Sequence, residues 1–179
     1  LSVLYSPLHG TGAWCFDKAF ARFGYKNFKV LEKEANPDGH FTGLKSANPE
    51  EKDAFLGLLD GAASEKPQLL LATDPDADRM GCAILHEGDY VFITGNQIGA
   101  LLLDWTAQKG AATKGNPYMC KTIVTSEFQS HIAHSYGLRV VETLTGFKHI
   151  AGAIEKDPDN YVFGGEESYG YLPVTWVRD

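Results

Sequence analysis

Long apolar runs are missing from this chain. No segment approaches the roughly 20 consecutive apolar residues of a membrane-spanning helix, and the start does not resemble a secretory signal. Positive charge is scarce as well. Sixteen Lys and Arg stand against 23 Asp and Glu, a formal net charge of −7, so the basic face with which nucleic-acid binders displace counterions is lacking. Cysteine is sparse, and Cys15, Cys82 and Cys120 are odd in number and far apart. That pattern argues against a disulfide frame or a zinc site and fits buried thiols in a reducing cytoplasm, the expected location. Low-complexity segments, short-period repeats and blocks of like charge are also absent, which sets disorder aside.

What is present is an ordinary apolar content, 44% of 179 residues, enough for one large domain or two small ones. The chain opens strand-like at Leu1-Ser2-Val3-Leu4-Tyr5, without Met, and stops just after another apolar stretch; it is expected to be a piece of a longer protein. Short apolar runs at 3–5, 28–31, 68–72, 80–85, 90–93, 122–125, 139–142 and 161–163 read as strands. Between them lie helix-period segments. Phe16, Ala19, Phe20 and Phe23 share one face, as do Phe55, Leu58, Leu59 and Ala62 behind a start at Asn48-Pro49-Glu50. Ile98, Leu101, Leu102 and Trp105 mark a third helix after Thr94, with further helices over 128–136 and 148–156. Phe16, Phe20, Phe23, Phe55 and Trp105 are expected in the core. Residues 34–49 and 110–117 read as loops, and Glu87-Gly88-Asp89 as a hairpin or a domain crossing. The order strand, helix, strand, helix, strand occurs twice. It implies an α/β protein of two consecutive three-layer α/β/α domains with mixed, mainly parallel sheets, residues 1–88 and 89–179.

The most informative segment is Thr73-Asp74-Pro75-Asp76-Ala77-Asp78-Arg79, directly after a continuous apolar strand. At 4 Å, two carboxylates repel by about 4 kcal/mol at an effective dielectric of 20, so three do not converge without a positive partner. A hard divalent cation such as Mg²⁺ suits all-oxygen ligands at the carboxyl end of such a strand, with Arg79 in reach of a phosphate on the same ion. An EF-hand needs Gly at its sixth position and Glu at its twelfth; here those are Arg79 and Leu85. An aspartyl-nucleophile phosphatase expects Thr or Val where Asp78 stands, which weakens that rival and leaves it open.

These residues resemble the metal-binding loop of the α-D-phosphohexomutases, the phosphoglucomutase and phosphomannomutase superfamily. Four further segments agree with that family in the same order. Ser6-Pro7-Leu8-His9-Gly10-Thr11-Gly12 resembles the opening of its second domain, and Pro37-Asp38-Gly39 with Lys45-Ser46-Ala47-Asn48-Pro49-Glu50 the stretch before its next helix. Thr143-Leu144-Thr145-Gly146-Phe147-Lys148 and Gly165-Glu166-Glu167-Ser168-Tyr169-Gly170 resemble two loops of its third domain. The resemblance covers essentially the whole chain.

It implies Asp74, Asp76 and Asp78 as Mg²⁺ ligands and Arg79 as a phosphate contact. Glu166 and Ser168 would hydrogen-bond adjacent hydroxyls of a sugar, since alternate residues of an extended loop share a direction, and Glu167 would point elsewhere. Lys148, with Thr145 and Gly146 at a loop-to-helix start, would lie near substrate, binding phosphate or assisting proton transfer. The family's reaction interconverts sugar 1-phosphate and 6-phosphate through a phosphoserine and a bisphosphate. Glucose phosphate is the expected substrate, with mannose phosphate next and a pentose phosphate open. A non-catalytic sugar- or metal-binding module is the alternative of a different class.

Other features read as structural. Gly10-Thr11-Gly12 begins a dinucleotide fingerprint that Cys15 breaks, leaving a closely packed turn, with an approach of His9 to the cleft as the lesser alternative. Ser46-Ala47-Asn48-Pro49 is accounted for as a helix start, and His131 and His134 as surface residues. The family's Thr-x-Ser-His-Asn-Pro nucleophile loop of domain I and the phosphate-gripping loop of domain IV have no counterpart here. The piece alone is therefore expected to be inactive, with those domains as its missing partners.

Overall fold

A computed structural model describes residues 1–110 and 114–176. The chain divides into two compact units, Leu1–Ile93 and Thr94–Asp179. In the first, strands β1 (Val3–Ser6), β2 (Phe28–Val30), β3 (Leu69–Thr73), β4 (Met80–His86) and β5 (Asp89–Ile93) form one sheet in the order β2-β1-β3-β4-β5. β1 runs parallel to β2 and β3, while β4 and β5 are antiparallel additions. The strand period of two decides which residues meet which layer. Val3, Tyr5 and Leu71 face helix α1 (Gly12–Arg22), whose Phe16 and Phe20 stack on Tyr5 and Phe28 with ring centroids 4.4 and 4.0 Å apart. Leu4, Leu70, Ala72 and Ala83 face the other way, onto Phe55, Leu58 and Ala62 of a short 3-10 turn (Lys52–Phe55) and helix α2 (Leu56–Ala62).

The second unit is a four-stranded sheet in the order β7-β6-β8-β9, built from β6 (Tyr118–Thr122), β7 (Arg139–Thr143), β8 (Tyr161–Gly165) and β9 (Tyr171–Leu172). β6 is parallel to both β7 and β8, and β9 is antiparallel to β8. Helices α3 (Gly95–Gly110) and α4 (Glu127–Ser135) cover one face through Leu103, Ala107 and Ala133. Helix α5 (Phe147–Lys156) covers the other through Ile150 and Ile154. Thr94 and Gln97 close a reciprocal capping box at α3, each side chain accepting from the other's backbone N–H, at 2.9 and 3.3 Å. Ser126 caps α4 by accepting from the N–H of Phe128. Both units are thus α/β/α sandwiches with mixed sheets.

Several expectations need correction. The segment around Gly88 is a hairpin, and β5 stays in the first sheet, so the division falls after Ile93 rather than after Gly88. The strand expected over 122–125 lies earlier. Tyr118–Thr122 is fully covered, whereas Ile123 and Val124, the pair that suggested a strand, are exposed in a turn. Lys121 in the middle of β6 masked the apolar pattern. No α-helix opens at Pro49. The Asn48 side chain accepts from the N–H of Glu50, a local turn, and regular helix begins only at Leu56. Phe16, Phe20 and Phe55 pack inside, but Phe23 is 86% exposed because it follows the last residue of α1. Trp105 is 57% exposed: α3 carries apolar residues most of the way round, and Leu103 and Ala107 are the buried ones that pack on the sheet. Cys120 is buried, but Cys15 is exposed and Cys82 half-buried. Part of the loop expected over 110–117, residues 111–113, lies outside the described residues.

Candidate functional site

The acidic loop leaves the carboxyl end of β3 beside that of β1, where parallel strands open a crevice. A left-handed Ala77 (φ 63°) and a bond from its N–H to the Asp74 carbonyl fold the segment into a tight turn. Asp74 is nearly covered. Its Oδ1 accepts the backbone N–H of Arg79 at 3.0 Å and its Oδ2 accepts Nε–H of the same residue at 2.7 Å. The Arg79 Nη1 donates to Asn48 Oδ1 (3.2 Å) and Glu50 Oε1 (2.8 Å), which ties the 46–50 turn to the acidic loop. Sequence reasoning missed Asn48 and Glu50 in this role. Their spacing announces a turn, and only the fold brings Arg79 to them.

One carboxylate oxygen each from Asp74, Asp76 and Asp78 lies within 4.8 Å of the others, and Asp76 and Asp78 are exposed. Among the described residues this is the one such grouping of three. Partial burial, helped by hydrogen bonding to Asp74 and by the charges of Asp74 and Asp76, pushes the Asp78 carboxyl up to about 6 against the opposing pull of Arg79. Concentrated negative charge made only of oxygen donors fits a hard divalent cation. Ligand oxygens on an octahedral Mg²⁺ are about 3 to 4 Å apart, so little closing is required.

The turn after β1 buttresses this loop. Thr11 donates from both its N–H (2.8 Å) and its hydroxyl (3.1 Å) to the Pro75 carbonyl. Gly10 lies so close that a Cβ there would overlap the Pro75 backbone. Gly10→Ala is accordingly expected to displace the acidic loop, at a steric cost of about 1–3 kcal/mol, and to weaken Mg²⁺ binding by about tenfold. Calorimetric titration of the full-length variant beside wild type checks this; equal affinities would show that the turn does not set the loop. His9 does not face open space. Its ring nitrogens sit 3.0 and 3.1 Å from the carbonyls of Asn36 and Thr42, so it anchors the 36–42 loop. Asp38 closes that loop on itself. Hydrogen bonds to Thr42 and to the backbone N–H groups of His40 and Thr42 hold its carboxyl down to about 2.

In the second unit three loops leave the carboxyl ends of β6, β7 and β8. Thr145 and Gly146 follow β7, and Gly146 (φ 115°) adopts a conformation that favours glycine. Its N–H donates to Glu166 Oε1 at 2.6 Å, while the Ser168 hydroxyl donates to Glu166 Oε2 at 3.2 Å. The β7 and β8 loops are thereby joined, with Glu166 and Ser168 side by side. Glu167 points away, its Oε2 accepting from the hydroxyls of Thr122 and Thr125, both at 3.1 Å. Lys148 is exposed on the first turn of α5. His131 and His134 are exposed, as expected of surface residues. The chain thus presents an acidic cluster that could hold a cation in one unit and a carboxylate–hydroxyl pair in the other.

Comparison with known proteins gives a consistent picture. Residues 1–87 match the family model of phosphoglucomutase/phosphomannomutase α/β/α domain II, and residues 94–175 that of domain III. A phosphoglucomutase of Staphylococcus aureus (strain bovine RF122 / ET3-1) is 37% identical over the whole chain. The chain spans about a third of the length of the curated relatives it matches, 33% in that case. Among solved structures, a phosphoglucomutase/phosphomannomutase family protein of Burkholderia thailandensis shares the fold at a TM-score of 0.80 and 14% identity, covering 98% of this chain and 35% of its own. An N-acetylphosphoglucosamine mutase of Aspergillus fumigatus, solved with GlcNAc-6P and magnesium, aligns at a TM-score of 0.63 and 18% identity, over 95% of this chain and 35% of its own. Among the described residues no helix is long and apolar enough to cross a membrane.

Proposed function

The chain belongs to the phosphoglucomutase/phosphomannomutase family, and from that premise we propose that it is the central part of an isomerase moving a phosphoryl group between the 1- and 6-oxygens of a sugar phosphate. The observation that carries this reading is the convergence of three aspartate oxygens at the end of β3. Asp74, Asp76 and Asp78 would hold Mg²⁺. When bound, the ion supplies positive charge against the transferring phosphoryl oxygens. Arg79, already oriented by Asp74 and Glu50, would present its guanidinium to the same phosphate. Glu166 would accept from one ring hydroxyl and Ser168 would bond its neighbour, which fixes the ring while leaving either phosphorylated end free to approach the reactive centre. Thr145, Gly146 and Lys148 would meet an anionic group at the start of α5.

The reactive serine and the loop that grips the second phosphate would belong to domains I and IV of a longer chain. Glucose phosphate is assigned first because the 37%-identical relative is named phosphoglucomutase. The Aspergillus complex supports a sugar phosphate and magnesium as the ligand classes. The aspartyl-phosphatase alternative is disfavoured by Asp78, which stands where that chemistry expects Thr or Val.

A coupled assay tests the proposal. The full-length protein should convert glucose 1-phosphate and carry phosphate on a serine, whereas the 179-residue chain should show no turnover and bind Mg²⁺ more weakly than micromolar. Turnover by the short chain, or phosphate trapped on Asp74 or Asp76, would overturn it.

A further inference from the structure

We infer that Glu167 is a positioning residue: its carboxylate, held by the hydroxyls of Thr122 and Thr125, fixes the aim of the neighbouring Glu166–Ser168 pair. The inference rests on reading that pair as the sugar site. The segment between Gly165 and Gly170 turns the chain from β8 into β9 and is closed by a bond from the N–H of Glu166 to the carbonyl of Gly170. Three further contacts hold its tip. Glu166 is bonded to the Gly146 N–H on one side. At Gly95 the chain comes so close that a Cβ would lie within van der Waals overlap of the Glu167 carbonyl.

The third contact is the Glu167 side chain itself. Thr122 and Thr125 are buried, their hydroxyls lie 2.8 Å apart, and both reach the same carboxylate oxygen. An ionised carboxylate only accepts, and each hydroxyl has one proton, so either both hydroxyls donate to Glu167 or one donates to the other and the second to Glu167. The Thr122–Thr125 turn is closed by a backbone bond from the N–H of Thr125 to the carbonyl of Thr122, and Thr122 ends β6, the strand between β7 and β8. Glu167 therefore ties the loop to the middle of the sheet. Residues 167 and 168 form a turn, so holding Glu167 on β6 fixes the turn in which the Ser168 hydroxyl reaches Glu166 at 3.2 Å. A loop ordered before substrate arrives does not lose that freedom on binding.

The test uses the full-length protein and compares glucose 1-phosphate with its 4-epimer, galactose 1-phosphate. Glu167→Met keeps the length and removes the acceptor. It should raise KM for glucose 1-phosphate by about tenfold and narrow the preference between the epimers, with little change in kcat. Glu167→Gln, whose amide oxygen can still accept from both hydroxyls, should restore most of the loss. Thr125→Val, isosteric and lacking the hydroxyl, should shift KM the same way, and it decides the matter if Glu167→Met fails to fold. An unchanged KM, or an equal fall in kcat/KM for both epimers, would overturn the inference. Glu166→Ala serves as the control on the underlying reading. If it abolishes turnover while Glu167→Met and Thr125→Val are silent, the latch is refuted and the sugar site stands. If Glu166→Ala leaves KM untouched, the sugar site itself is refuted.

Discussion

Asp78→Asn is expected to have two effects of opposite sign. In the full-length protein it removes one of the three proposed anionic cation ligands, and activity should fall by a factor of about 10² to 10³ or more, the scale on which single electrostatic contributors to a transition state are felt. In the absence of metal the same change should stabilise the fold. Three carboxylate oxygens within 4.8 Å of one another repel, and with no cation that repulsion opposes folding. The pH dependence identifies the cause. The Asp78 carboxyl rises from 3.8 to about 6 in the folded chain, so the fold favours its protonated form. Its favourable contribution is present below pH 4 and is lost as pH climbs through 6. The difference in thermal midpoint between variant and wild type should therefore open across that window and close, or reverse, when Mg²⁺ is added. The side chain is 44% exposed, so solvent screening limits the shift to about one or two degrees. Loss of activity accompanied by a lower metal-free midpoint would show that Asp78 is a structural residue and not a ligand.

Lys121→Ala should produce the largest loss of stability. Lys121 is fully buried in β6, and its ammonium meets the Thr125 carbonyl at 3.2 Å and carboxylate oxygens of Glu127 and Glu142 at 2.8 Å each. Two effects compete in the cost. Glu127 and Glu142 are 70% and 49% exposed, so when the amine is removed they return to water and leave no stranded buried charge. The four methylenes have no such recourse. At about 0.8 kcal/mol each they give about 3 kcal/mol, before any cavity term. Packing should dominate. Lys121→Met, which keeps the volume and loses the charge, should cost less than about 1.5 kcal/mol. Denaturant unfolding of both variants checks the order; equal costs would mean that the ion pairs carry the stability.

Much of the site was legible in one dimension because its chemistry is local. Three aspartates in alternation after an apolar strand point to a hard cation through residue type and spacing, whereas the sugar role proposed for Glu166 and Ser168 came from the family resemblance. The alternation of strands and helices likewise follows from apolar periodicity, so the two α/β units and most of their elements could be read directly. The errors share a cause. The true β6 was hidden by Lys121, a charged residue tolerated in the core only because Glu127 and Glu142 come from elsewhere in the fold to meet it. Trp105 and Phe23 were assigned inward because spacing gives a face, whereas the sheet decides which face is covered.

What the sequence determined by itself is therefore the pair of α/β units, the acidic loop and the Glu166–Ser168 pair proposed to meet the sugar, since each depends on residues a few positions apart. Tertiary structure alone decided what holds them in place. Asn48 and Glu50 on Arg79, Gly10 against Pro75, Gly146 on Glu166, and Thr122 with Thr125 on Glu167 all join residues more than 19 positions apart. Such pairs obey no spacing rule. They arise because parallel strands deliver their carboxyl ends, and the loops that follow, to the same edge of a sheet.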